Sequence, residues 1–166
     1  IVFTGTIYPS ASSPEILLDA ILNLINKKKI PQKSIIVEFY GSKLNYIHNL
    51  SKNSKYSNLI KIYGHLPRSK ILKIQKNSDL LLMLASSKEI SRGELSGKIF
   101  EYMAAARPIL CIGSRNDFEI GKVLNSTKSG IIMQDNDILK LENLIYKTYY
   151  GEGIFKIYNP KINKIL

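Results

Sequence analysis

The feature that most constrains the fold of this chain is a regular alternation of short apolar runs with segments of helical periodicity. Such alternation is typical of βαβ units, whose strands form a parallel sheet. We predict strands at residues 1–5, 34–41, 58–64, 79–85, 108–112 and 130–133. The predicted fold class is therefore α/β, with a Rossmann-like, doubly wound, parallel six-stranded sheet and helices on both faces.

Two sequence patterns predict where helices begin. Ser12 with Glu15 three residues on forms a possible capping box, which predicts a helix start at residue 12 or 13. Asn116 with Glu119 predicts a second capped start in the same way. Residues 79–85 form an unbroken apolar run, typical of a strand covered on both faces, and we expect this strand near the centre of the sheet.

The length and charge of the chain limit its class. Its 166 residues can bury the core of one domain without disulfides or metal ions, and we predict a single domain over residues 1–166. The formal net charge of +11 permits attraction to nucleic acid, anionic lipid or a phosphorylated ligand. The lysines form no block longer than residues 27–29, which favours a solvated surface for most of them.

The sequence also bears on location. No apolar run approaches the roughly 18–20 residues that span a bilayer, and the first residues resemble neither a signal peptide nor an initiation site. We therefore expect a cytoplasmic protein whose sequence continues beyond this chain. The one cysteine, Cys111, lies in an apolar run, which predicts a buried thiol.

Glycines follow the first three predicted strands, at Gly5, Gly41 and Gly64. In doubly wound sheets the ligand crevice lies outside the carboxyl ends of the strands, so three glycines at that edge favour a ligand site. The fingerprints G-x-G-x-x-G and G-x-x-x-x-G-K-[ST] are both absent from the sequence, so dinucleotide oxidoreductases and P-loop enzymes are not supported.

The most informative segment is the predicted helix over residues 98–106. The backbone amides of residues 96–99 would lie at its N-terminus and face the crevice, which is a favourable place for an anion. Lys98 in the first turn opposes the helix dipole, and contact with a phosphate would compensate for this. Glu101 lies one turn later among apolar residues, where its carboxylate needs hydrogen-bond donors such as a ribose diol.

Three motifs now stand in order along the chain. Residues 101–108 resemble the E-[AY]-x-A-x-G-[KR]-P signature of the donor-binding domain of GT-B glycosyltransferases, in particular the bacterial group 1 or family-4-like enzymes. Residues 77–82 resemble the A-D-[VL]-x-[LV] segment of that family, and residues 63–67 resemble its G-x-[VL]-[PS] turn. The resemblance extends across nearly the whole chain.

The resemblance implies a role for each matching residue. Glu101 would bind the ribose hydroxyls, and Gly97, Lys98 and Ile99 would form the helix start that faces the diphosphate. Gly64, His65 and Leu66 would border the nucleobase, and Gly5 and Thr6 would approach the diphosphate from the other side. Glu94, one residue past the position of the pattern's first glutamate, is a candidate contact for the donor sugar.

The sequence departs from the family pattern in three places. Residues 6–13 contain no Lys or Arg, although many family members place a phosphate-binding base there. Gly93 stands where the E-x7-E pattern has its first glutamate, and Ala106 replaces the usual glycine of A-x-G-[KR]-P. Arg92 or Lys88 are candidates to replace the missing charge.

The resemblance implies a bacterial glycosyltransferase that uses a nucleotide-diphosphate sugar, with UDP among the candidate nucleotides, in polysaccharide or glycoconjugate synthesis with retention. We expect no metal or other cofactor, and no catalytic residue is assigned. The expected partners are the nucleotide sugar and an N-terminal acceptor-binding domain of the same chain that is absent here. The full enzyme is expected in the cytoplasm, with the inner face of the membrane as its peripheral contact.

Three alternatives stay open. A GT-B nucleotide-sugar epimerase would share the domain. A noncatalytic domain would keep the fold and lose the chemistry, and the missing base after Gly5 favours it. A basic nucleic-acid-binding α/β module is supported by charge alone, because the sequence has no recognisable nucleic-acid-binding motif.

Overall fold

The fold was obtained as a computed structural model, which describes residues 1–8, 13–134 and 136–160. Six parallel strands form one sheet in the order β3-β2-β1-β4-β5-β6, as the alternating sequence pattern predicts. The strands are β1 Val2–Thr4, β2 Val37–Tyr40, β3 Ile60–Gly64, β4 Leu81–Leu84, β5 Ile109–Ile112 and β6 Gly130–Met133. The α/β prediction and the central position of β4 are confirmed.

Helices cover both faces of the sheet. They are α1 Glu15–Asn26, α2 Asn45–Lys52, α3 Arg68–Asn77, α4 Gly97–Ala104, α5 Glu119–Thr127, α6 Ile138–Tyr149 and the short α7 Ile154–Ile157, which the sequence did not predict. A 3-10 helix, Glu89–Ser91, lies in the loop after β4.

The sheet separates two apolar clusters. Alternate residues of the strands point to opposite faces, so neighbours in β4 divide between the clusters: Leu82 packs with α1, α2 and α6, whereas Leu81 and Met83 pack with α3, α4 and α5. All four residues of β5 are buried, as expected of a strand covered on both faces. Burial raises the pKa of the Cys111 thiol in β5 to about 12, in agreement with the predicted buried cysteine.

The two predicted helix starts have different outcomes. Helix α1 begins at Glu15 with Pro14 at its N-cap, and the Ser13 hydroxyl accepts a hydrogen bond of 3.2 Å from the Glu15 amide. Ser12 lies outside the described residues, so its capping box with Glu15 stays a prediction. Helix α5 begins at Glu119, so the predicted cap by Asn116 is wrong. The Asn116 side chain instead accepts a hydrogen bond from Asn125, and Glu119 pairs with Lys122.

Strands β1 and β4 separate at their carboxyl ends. They pair in register only at Val2 and Leu81, whereas β4 and β5 pair over four residues. The strand order reverses direction between β1 and β4, and this switch point is where ligands bind in doubly wound sheets.

The three strand-ending glycines lie at this edge, and each has a positive φ: 136° at Gly5, 145° at Gly41 and 69° at Gly64. The Gly41 amide donates to the Gly64 carbonyl at 2.7 Å. A Cβ atom at Gly41 would lie 1.9 Å from the carbonyl oxygen of Gly5. The loops after β1 and β2 therefore touch through their backbones.

Replacing Gly41 by alanine should lower the free energy of unfolding by about 3 kcal/mol or more, because the new Cβ would collide with backbone at a φ that side chains rarely adopt. Gly64→Ala is the matched control. Gly64 has space around its Cβ position and should lose only about 1–2 kcal/mol from its positive φ. Chemical denaturation followed by circular dichroism measures both, and equal losses would contradict the contact between the loops.

Candidate functional site

The carboxyl end of β1 is closed by a phenol from α4. The Thr4 amide donates to the Tyr102 hydroxyl at 2.9 Å, and the Thr4 side chain lies 3.3 Å from the same hydroxyl. Tyr102 is fully buried, and burial raises its pKa to about 12, so the phenol is neutral at physiological pH. Helix α4 is thereby fixed to the end of β1 at the switch point.

Glu101 lies on the same turn of α4 and is partly accessible, with 22% of its side chain exposed. Its Oε1 accepts a hydrogen bond of 2.6 Å from Nε2 of Gln75 in α3. The same Nε2 donates to the Thr4 hydroxyl at 2.9 Å. A single side-chain amide thus joins Glu101 to the end of β1.

Lys98 supplies a positive charge beside this carboxylate. Its Nζ lies 3.7 Å from Oε1 of Glu101 and 3.3 Å from the Thr4 hydroxyl. Its aliphatic chain covers Gly5, since a Cβ there would lie 3.0 Å from Lys98 Cε. The Lys98 side chain is 29% exposed and therefore remains accessible to an anion.

The start of α4 offers fewer amides than the sequence suggested. The Lys98 amide donates to the Ser96 hydroxyl at 3.3 Å, and the Ile99 amide donates to the Ser96 carbonyl at 3.0 Å. The Ile99 side chain is fully buried in the core. An anion at this helix start would therefore meet the amides of Ser96 and Gly97 first.

The residues predicted to border the base and diphosphate form the far side of the crevice. Gly64 ends β3, His65 is exposed, and Leu66 packs partly against the core on the α3 side. The Thr6 hydroxyl lies 3.4 Å from that of Ser42, which links the loops after β1 and β2. The structure thus joins Gly64 to Gly5, and Gly5 to Lys98, through neighbouring contacts.

The loop after β4 is held outside this group. Glu94 is exposed in the turn after the 3-10 helix, and no contact of its side chain with Lys98 or Glu101 is found among the described residues. Arg92 pairs with Glu89 and with Asp117 at 3.2 Å, and its guanidinium lies 5.2 Å from the ring centre of Phe118. Arg92 is therefore engaged with the loop before α5.

Sequence reasoning did not single out Thr4, Gln75 or Tyr102. Tyr102 lies next to Glu101 in the signature segment, and Thr4 precedes the first glycine. Both residues therefore adjoin positions that the sequence did indicate. Gln75 stands between charged residues of a polar helix, and nothing in the sequence distinguishes it from a surface residue.

Within the described part of the chain, no three His, Cys, Asp or Glu side chains come together to hold a metal ion. Nor is any of its helices long and apolar enough to cross a membrane.

The fold is that of a Rossmann-like domain of GT-B type. The sequence matches the family of group 1 glycosyl transferases over residues 1–149, and the chain belongs to this family. No curated protein matches the sequence.

Solved structures of similar fold include those of WaaG, HepE and TarM. WaaG, a glycosyltransferase involved in lipopolysaccharide biosynthesis, has a TM-score of 0.64 and 12% identity over 95% of this chain and 40% of its own. HepE from Anabaena, solved in complex with UDP-glucose, has a TM-score of 0.60 and 17% identity, over 95% of this chain and 42% of its own. TarM has a TM-score of 0.61 and 15% identity, over 99% of this chain and 32% of its own. The chain therefore spans less than half the length of each.

Removing the Tyr102 hydroxyl should destabilise the domain. In Tyr102→Phe the buried Thr4 amide loses its partner, which should cost about 1–3 kcal/mol of unfolding free energy. Tyr150→Phe is the control, because that exposed hydroxyl donates to the Lys29 carbonyl at 3.0 Å and water can replace it. Denaturant unfolding compares the two, and losses of the same small size would show that Tyr102 does not anchor α4.

Proposed function

We propose that this chain is the donor-binding domain of a glycosyltransferase and binds a nucleotide-diphosphate sugar. The observation that carries the proposal is the pairing of an accessible carboxylate, Glu101, with an accessible ammonium, Lys98, at the switch point of a doubly wound sheet. A nucleotide diphosphate presents matching groups, a ribose diol that donates hydrogen bonds and a diphosphate that carries negative charge.

The contacts of Glu101 support its role toward ribose. Both Gln75 and Lys98 approach Oε1 of the carboxylate. Oε2 is therefore the oxygen offered to a ribose hydroxyl. The role follows from acceptor chemistry, because a carboxylate can only accept hydrogen bonds and a diol can donate two.

Lys98 would serve the diphosphate. In glycosyl transfer the acceptor hydroxyl attacks the anomeric carbon while the nucleoside diphosphate leaves with its bonding electrons. Negative charge grows on the leaving oxygen, and a preorganised ammonium with helix amides stabilises it. Lys98 and the amides of Ser96 and Gly97 fit this task, so we propose a reaction without metal.

The proposed enzyme has a second domain. We propose that this chain is its C-terminal half, that the acceptor site and any general base lie on an N-terminal domain, and that the chain alone binds nucleotide without turnover. Similarity of fold to WaaG and HepE supports UDP as a candidate nucleotide and polysaccharide or glycoconjugate synthesis as a setting. Peripheral contact of the full enzyme with the membrane belongs to the same proposal.

A noncatalytic nucleotide-binding domain is the second candidate. Residues 6–13 supply no base for the diphosphate, and Arg92 is engaged elsewhere. Such a domain would bind a nucleoside diphosphate as proposed, but the full-length protein would transfer no sugar.

Calorimetric titration with UDP, GDP and ADP tests binding directly. We expect one of the three nucleotides to bind selectively, and Glu101→Ala to weaken it by about 1–3 kcal/mol through loss of the carboxylate acceptor. Glu152→Ala, at an exposed carboxylate beside α7, is the control and should leave the affinity unchanged. Absence of binding to all three, both by this chain and by the full-length protein, would refute a donor site.

If Lys98 contacts the diphosphate, its contribution to the binding affinity should depend on the phosphate charge of the ligand. Lys98→Met should weaken binding of the selected nucleoside diphosphate about tenfold and leave the much weaker binding of the nucleoside itself unchanged, since only the phosphates interact with the ammonium. Lys147→Met, on α6 at the opposite face of the sheet, should change neither affinity. Equal losses for nucleoside and diphosphate would argue against phosphate contact.

A further inference from the structure

We propose that Gln75 is a positioning residue that sets Glu101 to recognise ribose, so that the site prefers ribonucleotides to 2′-deoxyribonucleotides through an amide that does not touch the ligand. The inference rests on the proposed function, since it assumes that Glu101 meets a ribose. It adds the helix α3 as a third element to a site otherwise built from the strand β1 and the helix α4.

The geometry gives Gln75 two acceptors and no exposure. Its side chain is fully buried, with a relative accessibility of 0%. Nε2 donates to Oε1 of Glu101 at 2.6 Å and to the Thr4 hydroxyl at 2.9 Å. Thr4 belongs to the strand that ends at the crevice, so the amide fixes the carboxylate relative to the sheet itself.

The buried amide of Gln75 lowers the stability of the folded state at one atom. Oε1 of Gln75 is buried and has no hydrogen-bond partner among the described residues. A methionine of similar length would fill this space without burying an unpaired acceptor. The favourable part of the amide is its contact with the ionised carboxylate, because hydrogen bonds to charged groups are the stronger ones.

Gln75 and Lys98 both approach Oε1 of Glu101. Glu101 and Lys98 lie three residues apart on one helix, a spacing at which opposite charges readily pair. Their distance of 3.7 Å is long for a charge-assisted hydrogen bond, whereas the bond from Gln75 to the same Oε1 is short at 2.6 Å. Gln75 is therefore the closer of the two partners of Oε1, and the Lys98 ammonium is the more loosely held one.

The test measures discrimination between sugars, which a purely structural role would not alter. Wild type and Gln75→Met are titrated with UDP, GDP, ADP and their 2′-deoxy counterparts. We expect the wild type to bind its ribonucleotide about tenfold more tightly than the deoxy form, and Gln75→Met to reduce this ratio to about one with little change for the deoxy form. In a Glu101→Ala background, Gln75→Met should have no further effect.

A control in the same helix separates positioning from stability. The Ser78 hydroxyl donates to the Gln75 carbonyl at 2.8 Å and closes the end of α3. Ser78→Ala should lower the thermal unfolding midpoint and keep the ribose preference. Should Gln75→Met fail to fold, Gln75→Asn serves in its place, because its amide is one methylene too short to reach Glu101.

The outcomes are distinguishable. Wild type that binds its ribonucleotide with preference over the deoxy form, while folded Gln75→Met keeps that preference, overturns the role of Gln75 and leaves the proposed function intact. Wild type that binds without any preference overturns the ribose contact of Glu101 and this inference with it. Absence of binding to all six nucleotides, both by this chain and by the full-length protein, overturns both.

Discussion

The site depends on one hydrogen bond, from the Thr4 amide to the Tyr102 phenol. Parallel strands normally satisfy such an amide with the neighbouring strand, but β1 leaves β4 after Val2. The phenol takes the place of the missing carbonyl, so the strands can diverge without leaving a buried donor unpaired. Because Tyr102 belongs to α4, the bond that opens the crevice also brings Lys98 and Glu101 to its edge.

This arrangement explains a local conflict in the sequence. A lysine in the first turn of a helix opposes the helix dipole, and a carboxylate among apolar residues requires donors. The structure resolves both conflicts within one group, where Lys98 lies near Glu101 and Gln75 supplies the shortest contact to that carboxylate. The overall charge of +11 does not define the site, because the lysines are spread over exposed helices, turns and loops of the described chain.

Strands were predictable because an apolar run records burial directly, and β6 matches its predicted range of 130–133. The crevice edge was predictable from its glycines, because the close backbone approach at Gly41 admits no side chain. Gln75 could not be predicted, since its burial arises from the way α3 meets β1, 71 residues away in sequence. The cap at Asn116 failed for a similar reason, because its side chain is taken by Asn125.

The departures from the family pattern concentrate charge compensation on Lys98. A nucleoside diphosphate carries at least about two negative charges, while residues 6–13 supply no base and Arg92 is held by Glu89 and Asp117. One lysine and two helix amides leave part of that charge uncompensated, and a developing oxyanion in a dry site requires compensation. In the proposed two-domain enzyme, Lys88 in the loop after β4 and the acceptor-side domain are the candidate sources of the remaining positive charge. The complete site for the leaving group would then form when the two domains close on the donor.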